Sequence, residues 1–182
     1  MMFQPTAIPE VVLIEPKVFG DERGFFLESW NARTFAEAGL DLAFVQDNHS
    51  RSAVGVLRGL HYQVEQPQGK LVRVLRGEIF DVAVDIRGRS SSFGQWVGEH
   101  LSAKNKRMLW VPPGFAHGFL ALEEGTEVAY KCTDFWNAAA ERSIIWDDPD
   151  LGIEWPLPSG LTPTLSAKDA LGLPFREAPT FP

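Results

Sequence analysis

Cysteine is almost missing from this chain: Cys132 stands alone, which excludes a disulfide framework and a thiolate metal cluster and fits a reducing compartment. Histidine is scarce as well, with four residues, His49, His61, His100 and His117, and no H-x-H pair among them. A divalent metal site needs three or four nitrogen or oxygen ligands converging from neighbouring strands, so no metal is expected. Long apolar runs are absent, since none approaches the roughly 18 residues of a membrane span. The opening "MMFQPTAIPE" also lacks the basic and apolar regions of a secretory signal. A soluble, cytoplasmic protein is expected. Basic charge is in deficit, with Lys and Arg numbering 17 against 24 Asp and Glu. That balance argues against non-specific binding to nucleic acid or to an anionic membrane, because either needs a basic face to replace counterions. A local group of arginines is still able to hold one anion. Internal repeats, low-complexity tracts and helical periodicity are all thin.

What the chain does have is a 45 % apolar composition with 13 Phe and 6 Trp in 182 residues. That is enough for one buried core, with aromatics to spare for a cavity or a subunit interface. Short β-branched and aromatic runs are separated by Gly, Pro, Asn and Asp, the punctuation of an antiparallel all-β domain. The strands are expected in "EVVLIEPKVF", "AFVQDNHS", "VGVLRGLHYQ", "KLVRVLRG", "EIFDVAVDI", "QWVGEHLS", "RMLWVPPG", "HGFLALEE", "EVAYKCTDF" and "RSIIWDD", at the spacing of a barrel or sandwich. In "FDVAVDI", Phe80, Val82, Val84 and Ile86 share one face, expected to be core. Asp81, Ala83 and Asp85 share the other, where two inward aspartates need partners. A short helix is expected at "NARTFAEAG", with Asn31 as N-cap and Gly39 as its left-handed stop. One domain over residues 1–182 follows: N-terminal strands and the helix to about residue 50, a barrel core over 51–146, and a Pro- and Gly-rich tail over 147–182 packing on the barrel.

Several residues are able to carry chemistry. "VPPGFAHGF" has Pro112, Gly114 and His117 in the P-x-G-x-x-H spacing of a cupin motif, and a plain Pro-Gly turn feeding a strand explains it equally well. In "RGLHYQVEQPQGKLVR", His61 lies near Arg58, Lys70 and Arg73, cations that would depress its pKa and keep it a neutral base. A histidine satisfied by a hydrogen bond in the barrel wall is the commoner outcome for such a residue. Lys70 is either a solvated strand start or an ammonium facing an oxyanion beside His61. Strict alternation puts Arg58 and His61 on opposite faces, unless Gly59 makes a bulge that turns both into one cavity. Tyr130 is one of two tyrosines, so its hydroxyl has a role of its own or it is there for β-propensity. Trp136 shares its parity, as core or as a stacking face. Asp169 ends "SAKD", a capping box. Arg23 and Glu28 read as turn and edge-strand charges.

Taken together, "EPKVFGDERGFFLESW", "FVQDNHS", "VLRGLHYQ", "QGKLVR", "GEIFDVAVDIR", "NKRMLWVPPGFAHGF" and "LSAKDA" resemble the dTDP-4-dehydrorhamnose 3,5-epimerase family, in order from Glu15 to Ala170. The resemblance implies a metal-independent, cofactor-free, cupin-like jelly-roll barrel that forms homodimers and acts on a dTDP-linked 4-keto-6-deoxyhexose. It implies His61 as base, Asp169 as its orienting carboxylate, Lys70 facing the enolate oxygen and Tyr130 returning a proton from the other side. It implies substrate binding by Gln46, Asp47, Asn48, Arg58, Lys70, His117, Glu141 and Lys168, with Arg23 and Glu28 serving the neighbouring subunit. Trp136 stands where many relatives stack a tyrosine on thymine.

Overall fold

The β-branched and aromatic runs fold as strands and the Gly, Pro and Asn stretches between them as turns, in a computed structural model that describes residues 1–157 and 161–182. In chain order the strands are β1 (Met2–Pro5), β2 (Val12–Glu15), β3 (Val18–Asp21), β4 (Gly24–Leu27), β5 (Gln46–Ser52), β6 (Leu57–Gln63), β7 (Lys70–Arg76), β8 (Glu78–Asp85), β9 (Trp96–Ser102), β10 (Met108–Val111), β11 (Phe115–Ala121), β12 (Thr126–Cys132) and β13 (Glu141–Ser143). A helix, α1 (Ala32–Glu37), follows β4. Asn31 caps it as expected, its side-chain oxygen accepting from the N–H groups of Arg33 and Thr34 at 3.0 and 3.3 Å. Gly39 stops it at φ +85°.

Two antiparallel sheets face each other. The first runs β1-β2-β10-β7-β12-β5 and the second β13-β6-β11-β8-β9, while β3 and β4 pair as a separate hairpin. Val72, Leu109 and Val128 from the first sheet and Ile79, Ala83 and Phe119 from the second share one buried cluster. Strands β1 and β4 lie outside the runs expected as strands. The first is a mostly exposed edge strand ending in Pro5, and the second lies in an exposed hairpin, so neither carries the alternation that burial imposes. "EVVLIEPKVF" is two strands, because Pro16 separates β2 from β3 and lacks the N–H that a continuous ladder needs.

The expected division of β8 into a core face and a polar face does not hold: both are buried. Ile79 and Ala83 enter the inter-sheet core, and Phe80, Val82 and Val84 pack outward with Leu151, Trp155, Phe175 and Phe181 of the tail. The two aspartates are fully buried and partnered, Asp85 by Arg87 and Ser92 and Asp81 by His117. The tail, whose residues 158–160 lie outside the described ones, is laced down by Leu57 N–H donating to Thr164 O (3.0 Å), Tyr62 O–H to Pro179 O (2.7 Å) and Gly88 N–H to Phe181 O (2.7 Å). Burying an aromatic of this kind stabilises by about 2 kcal/mol, so the tail is an integral layer over the second sheet.

Candidate active site

The site begins at a break in β6. Opposite it, β11 pairs His117 with His61 but Phe119 with Arg58, so two residues of β6, Gly59 and Leu60, face the single Gly118. Gly59 sits at φ +127°, and a Cβ there would lie 2.5 Å from Gly118 Cα and 2.8 Å from His117 O. Only glycine fits this position. Three residues apart, Arg58 and His61 therefore both line one cavity of about 360 Å³ between the sheets, while Leu60 and Tyr62 turn to the tail. The break in alternation that would let Arg58 and His61 share a cavity is thus present at Gly59.

His61 Nε2 lies 2.5 Å from Asp169 Oδ1. Asp169 is placed by the capping motif: Ser166 Oγ accepts from its N–H at 3.1 Å and donates to its Oδ2 at 2.7 Å. The element it opens is one 3-10 turn, Asp169–Leu171, rather than an α-helix. The residue that closes the capping motif is thus also the one that meets His61. Burial pushes the Asp169 carboxyl up, but His61, Ser166 and Lys168 together hold it below its ordinary value, so it is ionised and only accepts. Nε2 then carries the ring proton, and Nδ1 is the nitrogen left to act as base. The pKa of His61 is lowered, first by burial and then by Lys168 and Lys70, with Asp169 opposing. Of the expected cations Lys70 is an agent, joined by Lys168 from the tail, while Arg58 and Arg73 do not figure among the causes; Arg73 lines a different pocket, with Met108 and Ala129, on the outer face of the first sheet.

Lys70 and Tyr130 line the same cavity as His61. Burial lowers the Lys70 pKa, with Cys132, Asp81 and Glu141 supporting its charge. Burial raises that of Tyr130, which keeps the phenol protonated. His117 also lines the cavity, its Nε2 2.8 Å from Asp81 Oδ1. At the rim, Lys168 Nζ meets Glu141 Oε1 at 2.8 Å. Burial pushes the Glu141 carboxyl up, and Lys168, His61 and Trp136 bring it below its ordinary value. Glu141 lines the same cavity as His61. Trp136 lines the cavity and is 59 % exposed, so it is not core.

Strand β5 sends Gln46, Asn48 and Ser50 into the cavity. Asp47, between two inward residues, points to the other face and pairs with Lys131 at 3.0 Å. Arg23 and Glu28 are also outside the cavity of this chain. Arg23 is 84 % exposed and pairs with Asp21, and Glu28 accepts from Asn31 Nδ2 at 3.0 Å. Asp81, an inward aspartate with His117 as its partner, and Ser50, which shares the parity of Gln46 and Asn48, lie beyond the expected site residues. Among the described residues no group of three or more His, Cys, Asp or Glu is arranged to hold a metal ion, and no helix is long and apolar enough to cross a membrane.

The sequence model described as dTDP-4-dehydrorhamnose 3,5-epimerase matches residues 5–177. The chain belongs to the dTDP-4-dehydrorhamnose 3,5-epimerase family. It is 62 % identical over 177 residues to the dTDP-4-dehydrorhamnose 3,5-epimerase of Pseudomonas aeruginosa, covering 97 % of each chain. With the enzyme of that name from Salmonella typhimurium it shares 59 % over 172 residues, 93 % of each. A crystal structure of dTDP-6-deoxy-D-glucose-3,5-epimerase from Legionella pneumophila, in complex with dTDP-4-keto-L-rhamnose, superposes with a TM-score of 0.94 at 54 % identity, covering 98 % of this chain and 94 % of that one. The two-sheet barrel is the cupin-like fold of these epimerases, and the chain is a 3,5-epimerase of sugar nucleotides.

Proposed function

We propose that His61, Asp169, Lys70 and Tyr130 carry out the epimerisation on a dTDP-linked 4-keto-6-deoxyhexose, giving dTDP-4-keto-L-rhamnose from dTDP-4-keto-6-deoxy-D-glucose. The observation that carries this reading is the His61–Asp169 pair in one cavity with a buried lysine and a protonated tyrosine. The C3 and C5 protons are both α to the C4 ketone, so each is acidified by the same carbonyl. His61 removes the proton, the Lys70 ammonium stabilises the enolate oxygen, and Tyr130 delivers a proton to the opposite face. His61 and Tyr130 then exchange their protons with solvent. Nothing is oxidised or reduced, so side chains supply all the chemistry drawn here, without metal or cofactor.

Arg58 is suited to the diphosphate, with Gln46, Asn48, His117, Glu141 and Lys168 around the sugar nucleotide and Trp136 stacked on thymine. Arg23 and Glu28 reach a site only in a second copy, and their hairpin exposes Phe19, Phe25 and Phe26. These features support a homodimer in which each subunit completes the other's site. The fold and reaction suit a cytoplasmic enzyme of one domain.

The test is proton exchange in D2O followed by NMR. Wild-type protein is expected to place deuterium at both C3 and C5 of the product, in the presence of a chelator. His61→Ala is expected to lose exchange at both carbons by at least about 10²-fold, the scale of a general base. Undiminished exchange in that variant would overturn the assignment.

A further inference from the structure

Gln63, two residues beyond His61 on β6, is buried and uses every part of its amide. Nε2 donates to Gln66 O at 2.7 Å and to Phe135 O at 3.1 Å, and Oε1 accepts from the Asn137 N–H at 2.9 Å. Phe135 and Asn137 are the two neighbours of Trp136. Residues 133–137 have no helix or strand of their own, so side chains set the shape of this segment. Around Gln63, Asn137 Nδ2 donates to Gln66 Oε1 at 2.9 Å, Gln68 Nε2 to Asp134 O at 2.8 Å, and Trp136 N–H to Gln46 Oε1 at 2.9 Å. On its backbone side Gln63 is locked into the sheet opposite Glu141 of β13.

An exposed indole on an irregular loop ordinarily loses conformational freedom when a ligand stacks on it, at a cost to affinity. Here the backbone on either side of the indole is fixed in advance, and by a residue of the strand that carries the base. We infer that Gln63 is a positioning residue that fixes the span between the Trp136 platform and His61, and so selects a nucleotide-linked hexose over the bare hexose phosphate. This rests on Trp136 being the nucleobase platform.

The experiment compares Gln63→Leu, Gln63→Glu, Trp136→Ala and the Gln63→Leu/Trp136→Ala double variant. Each is assayed on the dTDP-linked 4-keto-6-deoxyhexose and on the same hexose as its 1-phosphate. Gln63→Leu removes all three contacts, and Gln63→Glu keeps the acceptor while losing both donors, which provides a second reading if the first variant folds poorly. Expected is a KM for the nucleotide sugar raised about tenfold, the scale of lost preorganisation, with kcat within about threefold of wild type. For the hexose 1-phosphate kcat/KM should stay within about twofold, and the double variant should lose no more than Trp136→Ala alone. Losses that multiply in the double variant, or an equal loss on the 1-phosphate, overturn the inference. So does an unchanged KM in both Gln63 variants while that of Trp136→Ala rises. An unchanged KM in Trp136→Ala removes the platform itself, and the inference with it.

Discussion

His61 and His117 stand opposite each other on β6 and β11, and each rests Nε2 on a carboxylate, Asp169 at 2.5 Å and Asp81 at 2.8 Å. The chemistry of the two pairs is alike and their construction is not. Asp81 comes from β8, the next strand of the same sheet, and its pair is closed off, with side-chain exposures of 7 % for His117 and 0 % for Asp81. Asp169 arrives 108 residues after His61 on the docked tail, and the His61 side chain keeps 25 % of its surface open. A histidine with both its carboxylate and an opening to the cavity is able to take a proton and pass it on. One sealed inside the sheet serves better as a wall that presents a fixed hydrogen-bonding edge.

The sharpest way to break this comparison is to remove the charge from each carboxylate in turn. Asp169→Asn is expected to lower kcat/KM by about 10²- to 10⁴-fold, as for other histidine bases deprived of their carboxylate. Asp169 is the partner that raises the His61 pKa against burial, Lys168 and Lys70. Without it that pKa falls further below its ordinary value, so the acidic limb of the pH profile of kcat/KM should move to lower pH while the plateau drops. A limb that moves upward would contradict the assignment.

Next in size is Gly59→Ala, which tests whether the bulge is what lets Arg58 and His61 share a cavity. Its Cβ would meet backbone atoms that have no rotamer to escape into, so unfolding in urea should show a loss of about 3 kcal/mol. A loss below about 1 kcal/mol would mean the strand tolerates a side chain there. The smallest effect belongs to Asp81→Asn. Weakening one buried, charge-assisted hydrogen bond should cost about 1.5 kcal/mol of stability and, if the pair is structural, leave kcat/KM within about tenfold of wild type. An activity loss equal to that of Asp169→Asn would erase the distinction between the pairs.

Alternation carried much of this site without any structure. The parity of Gln46, Asn48 and Ser50 places all three on one face, as the structure has them. The same parity argues against Asp47, which entered by resemblance to the family and faces away. It also separates Lys70 from Arg73, three residues on, although both lie near His61 in the sequence. Where a face was misread, as on β8, the cause was the tail: a segment distant in sequence covers the outer side of the second sheet, and no local pattern announces what will pack on a strand from elsewhere.

The sequence by itself determined most of the strands, the Asn31 cap and the glycine that permits a break at position 59. These follow from short-range sterics, hydrogen-bonding capacity and composition, which are properties of residues and their near neighbours. Tertiary structure alone decided the contact by which Asp169 meets His61, the action of Lys168 on the His61 pKa, and the hold of Gln63 on the loop bearing Trp136. Those outcomes depend on distances and burial between segments far apart in the chain, and electrostatic effects are set by such distances and by the exclusion of water, not by spacing along the sequence.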